Sequence, residues 1–214
     1  HNFSYWRKVL WQLDTYPEIR KYCDGAAFHY YDGSPEDIDN VCLKYPELEY
    51  HFTEGGPRLY DNYATDWCKW GIVISKALKH GCATFTGWNL MLDEIGGPNI
   101  GPFFCGGLVT RNSINGELSY SGQYRAFGHF SKFIKRGAEI FPAATSKKGS
   151  TLFAFPDEEK PAEICAALNP DGKFILTVTN PSHEKRQLQY HRFGKWWYIE
   201  ALPDSVSTVV FEEK

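Results

Sequence analysis

Long apolar runs are missing from this chain of 214 residues. None approaches the roughly 18 residues that a membrane-crossing helix needs. Positive charge is nowhere concentrated: no cluster of Lys and Arg exceeds two residues. With a formal net charge of −3 and a pI near 6.2, the chain lacks the basic stripe on which nucleic-acid binders rely. The six cysteines (Cys23, Cys42, Cys68, Cys82, Cys105 and Cys165) show neither C-x-x-C nor Cys/His metal spacing, which argues against a zinc site. They read as buried thiols, with one or two disulfides as the alternative for an exported protein. The opening HNFSYWRKV lacks the apolar stretch of a signal peptide. Any targeting segment would precede His1, so the compartment stays open. No internal repeat and no low-complexity tract interrupts the chain.

Apolar and aromatic residues are plentiful. The hydrophobic share of 43% suffices for one good-sized domain or two small ones. The aromatic share of 16% has two readings: large cores, since aromatic rings dominate burial, or stacking on sugar rings. Core is the ordinary fate of such a ring. Stacking is favoured where the ring stands at the end of a strand.

The first part of the chain alternates strand and helix. Ser4 to Tyr22 is helical in pattern, with Trp6, Val9, Leu10, Leu13 and Ile19 broadly at helical spacing and Pro17 as an interruption. A strand is expected from Gly25 to Tyr31. Ser34-Pro35-Glu36-Asp37 then opens a helix, with Ser34 as cap and acids in the first turn. LEYHFTEGG (48–56) alternates Leu48, Tyr50 and Phe52 with Glu49, His51 and Thr53, the period-two pattern of a strand. Gly55 and Gly56 end it and leave Glu54 where strand becomes loop. A long helix is expected from about Leu59 to His80. A strand ending at Trp88 follows, then a Gly-, Pro- and Asn-rich loop from Gly96 to Gly107, and a helix from Arg125 to Ile134. This alternation implies βα units and a parallel sheet. From about Gly137 the pattern changes. A linker-like FPAATSKKGS (141–150) precedes short β-rich runs, TLFAF, EICAALN, KFILTVTN, KWWYIEAL and STVVFEE, separated by the turns NPDG, NPSH and RFGK. Such runs point to a small antiparallel β domain.

Four strings in order, AAFHYYDG (26–33), HFTEGG (51–56), TGWNLMLDEIGGPN (86–99) and GHFSKFIKRGA (128–138), resemble glycoside hydrolase family 30, the glucosylceramidase-like retaining β-glycosidases. The similarity runs the length of the chain and is densest from Gly25 to Gly137. It implies an α/β fold: strands six to eight of a TIM (β/α)₈ barrel over residues 1–137, followed by a small antiparallel β-sandwich over 138–214. A complete barrel takes about 250 residues, so the resemblance implies the C-terminal half of an enzyme, with the N-terminal half of the barrel as a missing partner. His1-Asn2-Phe3 would fall just after strand five.

Retaining glycosidases use two carboxyl groups about 5–5.5 Å apart, one as nucleophile and one as acid/base. By the resemblance Glu54 is the nucleophile, at the C-terminal strand edge where barrel enzymes gather their chemistry. A solvated loop carboxylate is the plain alternative. Tyr31 matches the tyrosine that donates to the nucleophile, and such donation favours a charged, attacking carboxylate. His29, two residues earlier, faces the same side of its strand. Trp88 matches a wall of the sugar subsite, with Asn89 supporting the loop. The family acid/base lies in an Asn-Glu-Pro motif, which does not occur here; Glu94 is in the right loop region but matches no such role. His129 and Lys132 read as structural. The loop IGPFFCGG departs from the polar loop of glucosylceramidase-like relatives, which leaves lipid and oligosaccharide aglycones both open. Trp196-Trp197 offers either a sugar-binding face or a core edge, with alternation burying one ring and exposing the other.

The expectation is a retaining β-glycosidase acting by double displacement on a β-glucoside, glycolipid or β-glucan oligosaccharide. It needs no metal or organic cofactor, and this chain alone is incomplete and inactive. The alternative is a non-catalytic carbohydrate-binding or scaffold remnant of the same fold.

Overall fold

The computed structural model describes residues 1–99, 104–141, 143, 161–192 and 194–212. The expected strand TLFAF (151–155), the linker 142–150 apart from Ala143, the start of IGPFFCGG and Phe193 of the RFGK turn lie outside the described residues. Contacts divide the chain into two compact units: His1–Asp66 with Lys76–Tyr124, and Trp67–Ser75 with Arg125–Lys214.

In the first unit α1 (Trp6–Thr15) follows a short 3₁₀ turn, and a second 3₁₀ turn begins at Pro17, as a proline that cannot continue a helix requires. β1 (Gly25–His29) is next, two residues shorter than expected. Pro35–Ile38 then form a 3₁₀ turn leading into α2 (Asp39–Cys42), and the Asp37 carboxylate accepts from the Ser34 N–H at 3.1 Å. β2 (Glu49–Glu54) pairs in parallel with β1 on one side and with β3 (Cys82–Phe85) on the other. Asn2 forms a further parallel bridge to His29, whose N–H donates to the His1 carbonyl at 2.8 Å. The chain's first residues therefore run beside β1. Phe3, Phe28 and Phe52 are buried, and Phe52 stacks on Phe85 with ring centroids 3.9 Å apart. This aromatic packing is the core beneath Glu54.

Further expected boundaries are corrected, and the helix expected over Arg125–Ile134 spans Gly122–Ser131. The helix expected from Leu59 begins only at Trp67, as α3 (Trp67–Lys79). Asn62 adopts φ 50°, Leu59 N–H bonds to the Phe104 carbonyl, and Arg58 bridges Cys105. Residues 58–62 are held by a neighbouring loop instead of stacking into turns. The strand expected to end at Trp88 ends at Phe85, so Trp88 stands three residues into the following loop. A small sheet was not expected at all: β4 (Met91–Leu92), β5 (Val109–Arg111) and β6 (Leu118–Tyr120), in that order.

In the second unit α4 (Gly122–Ser131), whose residues from Arg125 onward belong here, precedes an antiparallel sheet. The sheet is made of β7 (Glu139–Phe141), β8 (Glu163–Leu168), β9 (Phe174–Asn180) and β12 (Ser205–Phe211), in the order β12-β9-β8-β7. β10 (Arg186–Arg192) and β11 (Lys195–Ala201) form a separate hairpin. The run RQLQYHR was not read as a strand. Its alternation is visible only once Leu188 and Tyr190 are seen packing on the shared core of Phe174, Leu176, Val178, Ile199 and Ala201. The NPDG turn closes through Gly172 N–H to the Asn169 carbonyl at 2.9 Å, with Gly172 at φ 82°, a conformation glycine adopts without strain. Trp197 meets Phe211 edge-on, while Trp196 lies against His191. Both indoles stay exposed, at 41% and 61%, so alternation turns Trp197 inward without burying it.

Candidate active site

The site lies wholly in the first unit, at the C-terminal edge of the parallel sheet, and a bulge creates it. β1 and β2 pair Phe28 with Phe52, but the next pair is His29 with Glu54, skipping Thr53. Simple alternation would set His29 opposite Thr53. The one-residue shift re-aims the strand end, a common use of bulges, and brings His29 Nδ1 to 3.8 Å from Glu54 Oε2. Tyr31, two residues past β1, keeps its ring edge-on to His29 at 6.3 Å between centroids, close enough for the Glu54 charge to act on its phenol.

The electrostatics follow from this crowding. Burial, then the Glu54 charge, push the Tyr31 phenol well above its ordinary pKa, so it remains protonated. Burial lowers the His29 pKa against the opposing pull of Glu54, which keeps the imidazole neutral near pH 7. Glu54 therefore faces a neutral phenol and a neutral imidazole.

Beyond Glu54 the chain turns through Gly55 and Gly56, both buried. The Gly55 carbonyl accepts from the Trp88 N–H at 3.0 Å, which ties the loop carrying Trp88 to the loop carrying Glu54. A Cβ on Gly56 would collide with the Trp88 carbonyl oxygen, so glycine is required for this approach. The Trp88 indole is 43% exposed, and the bond joining it to Asn89 is cis. Asn89 is half-buried, and its carbonyl accepts from Leu108 N–H at 2.8 Å.

Thus His29, Tyr31 and Glu54 meet side chain to side chain, Trp88 joins them through the backbone, and Asn89 braces the loop. Two neighbours were missed. Cys105 is half-buried; burial and the Glu54 charge raise its thiol pKa while Arg58 lowers it. Arg58 pairs with Cys105 across an isolated bridge and donates to the Tyr60 hydroxyl at 3.0 Å. Arg58 follows Glu54 by four residues, a proximity that was there to be read. Nothing in the sequence points to Cys105. Glu94 is engaged elsewhere: its carboxylate accepts from the Ser113 N–H at 2.7 Å and hydroxyl at 2.5 Å, closing the loop over β5 and β6. Among the described residues no cluster of three His, Cys, Asp or Glu side chains is arranged to hold a metal. No described helix is long and apolar enough to cross a membrane.

An acidic residue at the sheet edge thus lies with a phenol, an imidazole and a loop that carries an exposed indole. One of the glucosylceramidase-type proteins of Caenorhabditis elegans is 31% identical over 131 residues, covering 57% of this chain and 25% of its own length. The endo-β1,6-glucanase BT3312 superposes with a TM-score of 0.81 at 21% identity, over 100% of this chain and 48% of the solved one. The catalytic domain of the GH30 xylanase C from Talaromyces cellulolyticus gives 0.58 at 20% identity, over 83% and 37%. No family model matches the chain. The chain spans 19–33% of the length of curated relatives that it matches. Its relatives and structural neighbours are glycoside hydrolases. More particularly, the chain is similar to a C-terminal portion of the glycoside hydrolase family 30 fold.

Proposed function

We propose that this chain is the nucleophile-bearing part of a retaining β-glycosidase. In this reading β1, β2 and β3 are strands six, seven and eight of a (β/α)₈ barrel, and residues 138–214 form a β-sandwich. The observation that carries the reading is the convergence of His29, Tyr31 and Glu54 at the bulged edge of β1 and β2, where the Glu54 charge acts on both neighbours. Glu54 attacks the anomeric carbon: a carboxylate oxygen forms the C–O bond while the glycosidic C–O bond breaks and its electron pair leaves with the aglycone. Tyr31 holds the attacking oxygen in line, His29 lines the pocket wall, and Trp88 offers its indole face to the sugar. The acid/base carboxyl comes from residues outside this chain, since no Asn-Glu-Pro occurs in it. The chain by itself is therefore expected to show no turnover. The substrate is a β-linked glucoside or glucan, in keeping with the glucosylceramidase and glucanase names of its relatives.

The test uses a β-glucoside with fluorine at C2 and dinitrophenolate as leaving group. Dinitrophenolate departs without protonation, so attack by Glu54 needs no acid. Intact mass should increase by one fluoroglucosyl group on the longest natural form of the protein, peptide mapping should place it on Glu54, and Glu54→Gln should abolish it. Saturable sugar binding without any adduct would favour the non-catalytic carbohydrate-binding reading instead.

A further inference from the structure

Gln123 is fully buried, with 0% of its surface exposed, yet it lies outside every motif that pointed to the site. Its position is fixed from several directions. Ser121 caps α4 by accepting from the Tyr124 N–H at 3.0 Å, and its own hydroxyl and N–H both donate to the Leu108 carbonyl at 3.0 Å. Gly122 N–H donates to the Tyr63 carbonyl at 2.8 Å. From this anchored turn the Gln123 Nε2 donates to the Gly55 carbonyl at 2.8 Å. That carbonyl is the same atom that accepts the Trp88 N–H. One oxygen, next in the chain after Glu54, therefore takes two donors, one from the loop bearing the indole and one from the start of α4.

We propose that Gln123 is a positioning residue: its amide fixes the Gly55 carbonyl and, through it, the mutual placement of Glu54 and Trp88. The inference rests on the reading of Glu54 as nucleophile. Space filling does not account for Gln123. Among the described residues nothing donates to its Oε1, and a buried unpartnered acceptor is destabilising, so a methionine of the same length would fill the position without that penalty. What the amide adds is the donor to Gly55. Backbone and rings leave little slack around it: a Cβ on Gly55 would stand 2.6 Å from Phe52 and 3.0 Å from Tyr30. Small displacements of a reacting group are amplified into large losses of rate.

The experiment compares wild type with Gln123→Met, which keeps length and packing and removes the donor. It is done on the longest natural form of the protein. Two quantities are read: the limiting rate of labelling by the dinitrophenyl fluoroglucoside, separated from its half-saturation, and hydrogen exchange at the Trp88 amide. The expected result is a limiting rate lower by about tenfold and Trp88 exchange faster by about tenfold, with half-saturation changed much less. Wild-type rate and wild-type exchange in a folded Gln123→Met would overturn the proposal. If wild type itself is never labelled, the nucleophile reading fails, and Trp88 exchange alone decides for Gln123: faster supports it, unchanged rejects it. Should Gln123→Met not fold, Gln123→Glu takes its place, because its carboxyl can donate to Gly55 only when protonated. Its labelling rate relative to wild type should then rise as pH falls, and a wild-type pH profile would reject the proposal.

Discussion

His29 Nδ1 stands 3.8 Å from Glu54 Oε2, too far for a hydrogen bond and close enough to line the same pocket. The Glu54 charge also acts on Tyr31 and helps to hold its phenol protonated. In the proposed mechanism His29 lines the approach to the carboxylate and Tyr31 orients it.

Tyr31→Phe removes the phenol hydroxyl that the proposed mechanism uses as a donor to Glu54, and little else. The phenol's pKa lies far above the working range, so wild type keeps its donor at every pH at which the protein is handled. A hydrogen bond to a charged group contributes about 1.5–3 kcal/mol, which corresponds to roughly tenfold to a hundredfold in rate. Labelling of Glu54 in Tyr31→Phe should slow by that factor, with an unchanged far-UV spectrum. Equal rates in mutant and wild type would remove Tyr31 from the mechanism.

Two glycines should respond oppositely to alanine. A Cβ on Gly56 meets the backbone oxygen of Trp88, which cannot rotate away as a side chain would. Gly56→Ala should lose about 1–3 kcal/mol and weaken sugar binding, because the strain falls on the loop bearing the indole. Gly128 lies inside α4 with nothing within 4 Å of an added Cβ. Gly128→Ala should gain about 0.5–1 kcal/mol. Urea midpoints of the two variants decide the matter; a shift of the same sign in both would contradict the packing described.

Much of this was legible in the residues, and the gaps have physical causes. Alternation through Leu48–Thr53 gave β2 and left Glu54 at its end, because a period-two pattern is a local property. Parity by itself sends His29 and Glu54 to opposite faces, and only the bulge that skips Thr53 brings them together. Bulges are settled by pairing across strands, which no single segment records. The helix expected from Leu59 failed for a similar reason: Leu59 N–H is claimed by Phe104, 45 residues away. Cys105 and Gln123 were missed because their roles come from what they touch. A thiol in a loop, or an amide in the first turn of a helix, carries no periodic signal.

The last prediction concerns His129, whose pKa burial alone lowers. Thr208 Oγ1 lies 3.0 Å from the His129 carbonyl oxygen, to which it donates, and 3.1 Å from His129 Nδ1. The sign of the linkage follows. Above about pH 6.5 folded and unfolded chains are both unprotonated at this residue, and it contributes no pH dependence. As pH falls below that value the unfolded chain takes up a proton that the folded chain refuses until its own lower pKa is reached. Stability is lost across that window and levels off beneath it. His129→Gln retains an N–H donor and carries no titrating group. Its stability should fall less steeply than that of wild type between pH 7.5 and pH 5, as read from urea midpoints at fixed ionic strength. Parallel curves for the two proteins would show that His129 protonates as readily in the folded chain as in the unfolded one.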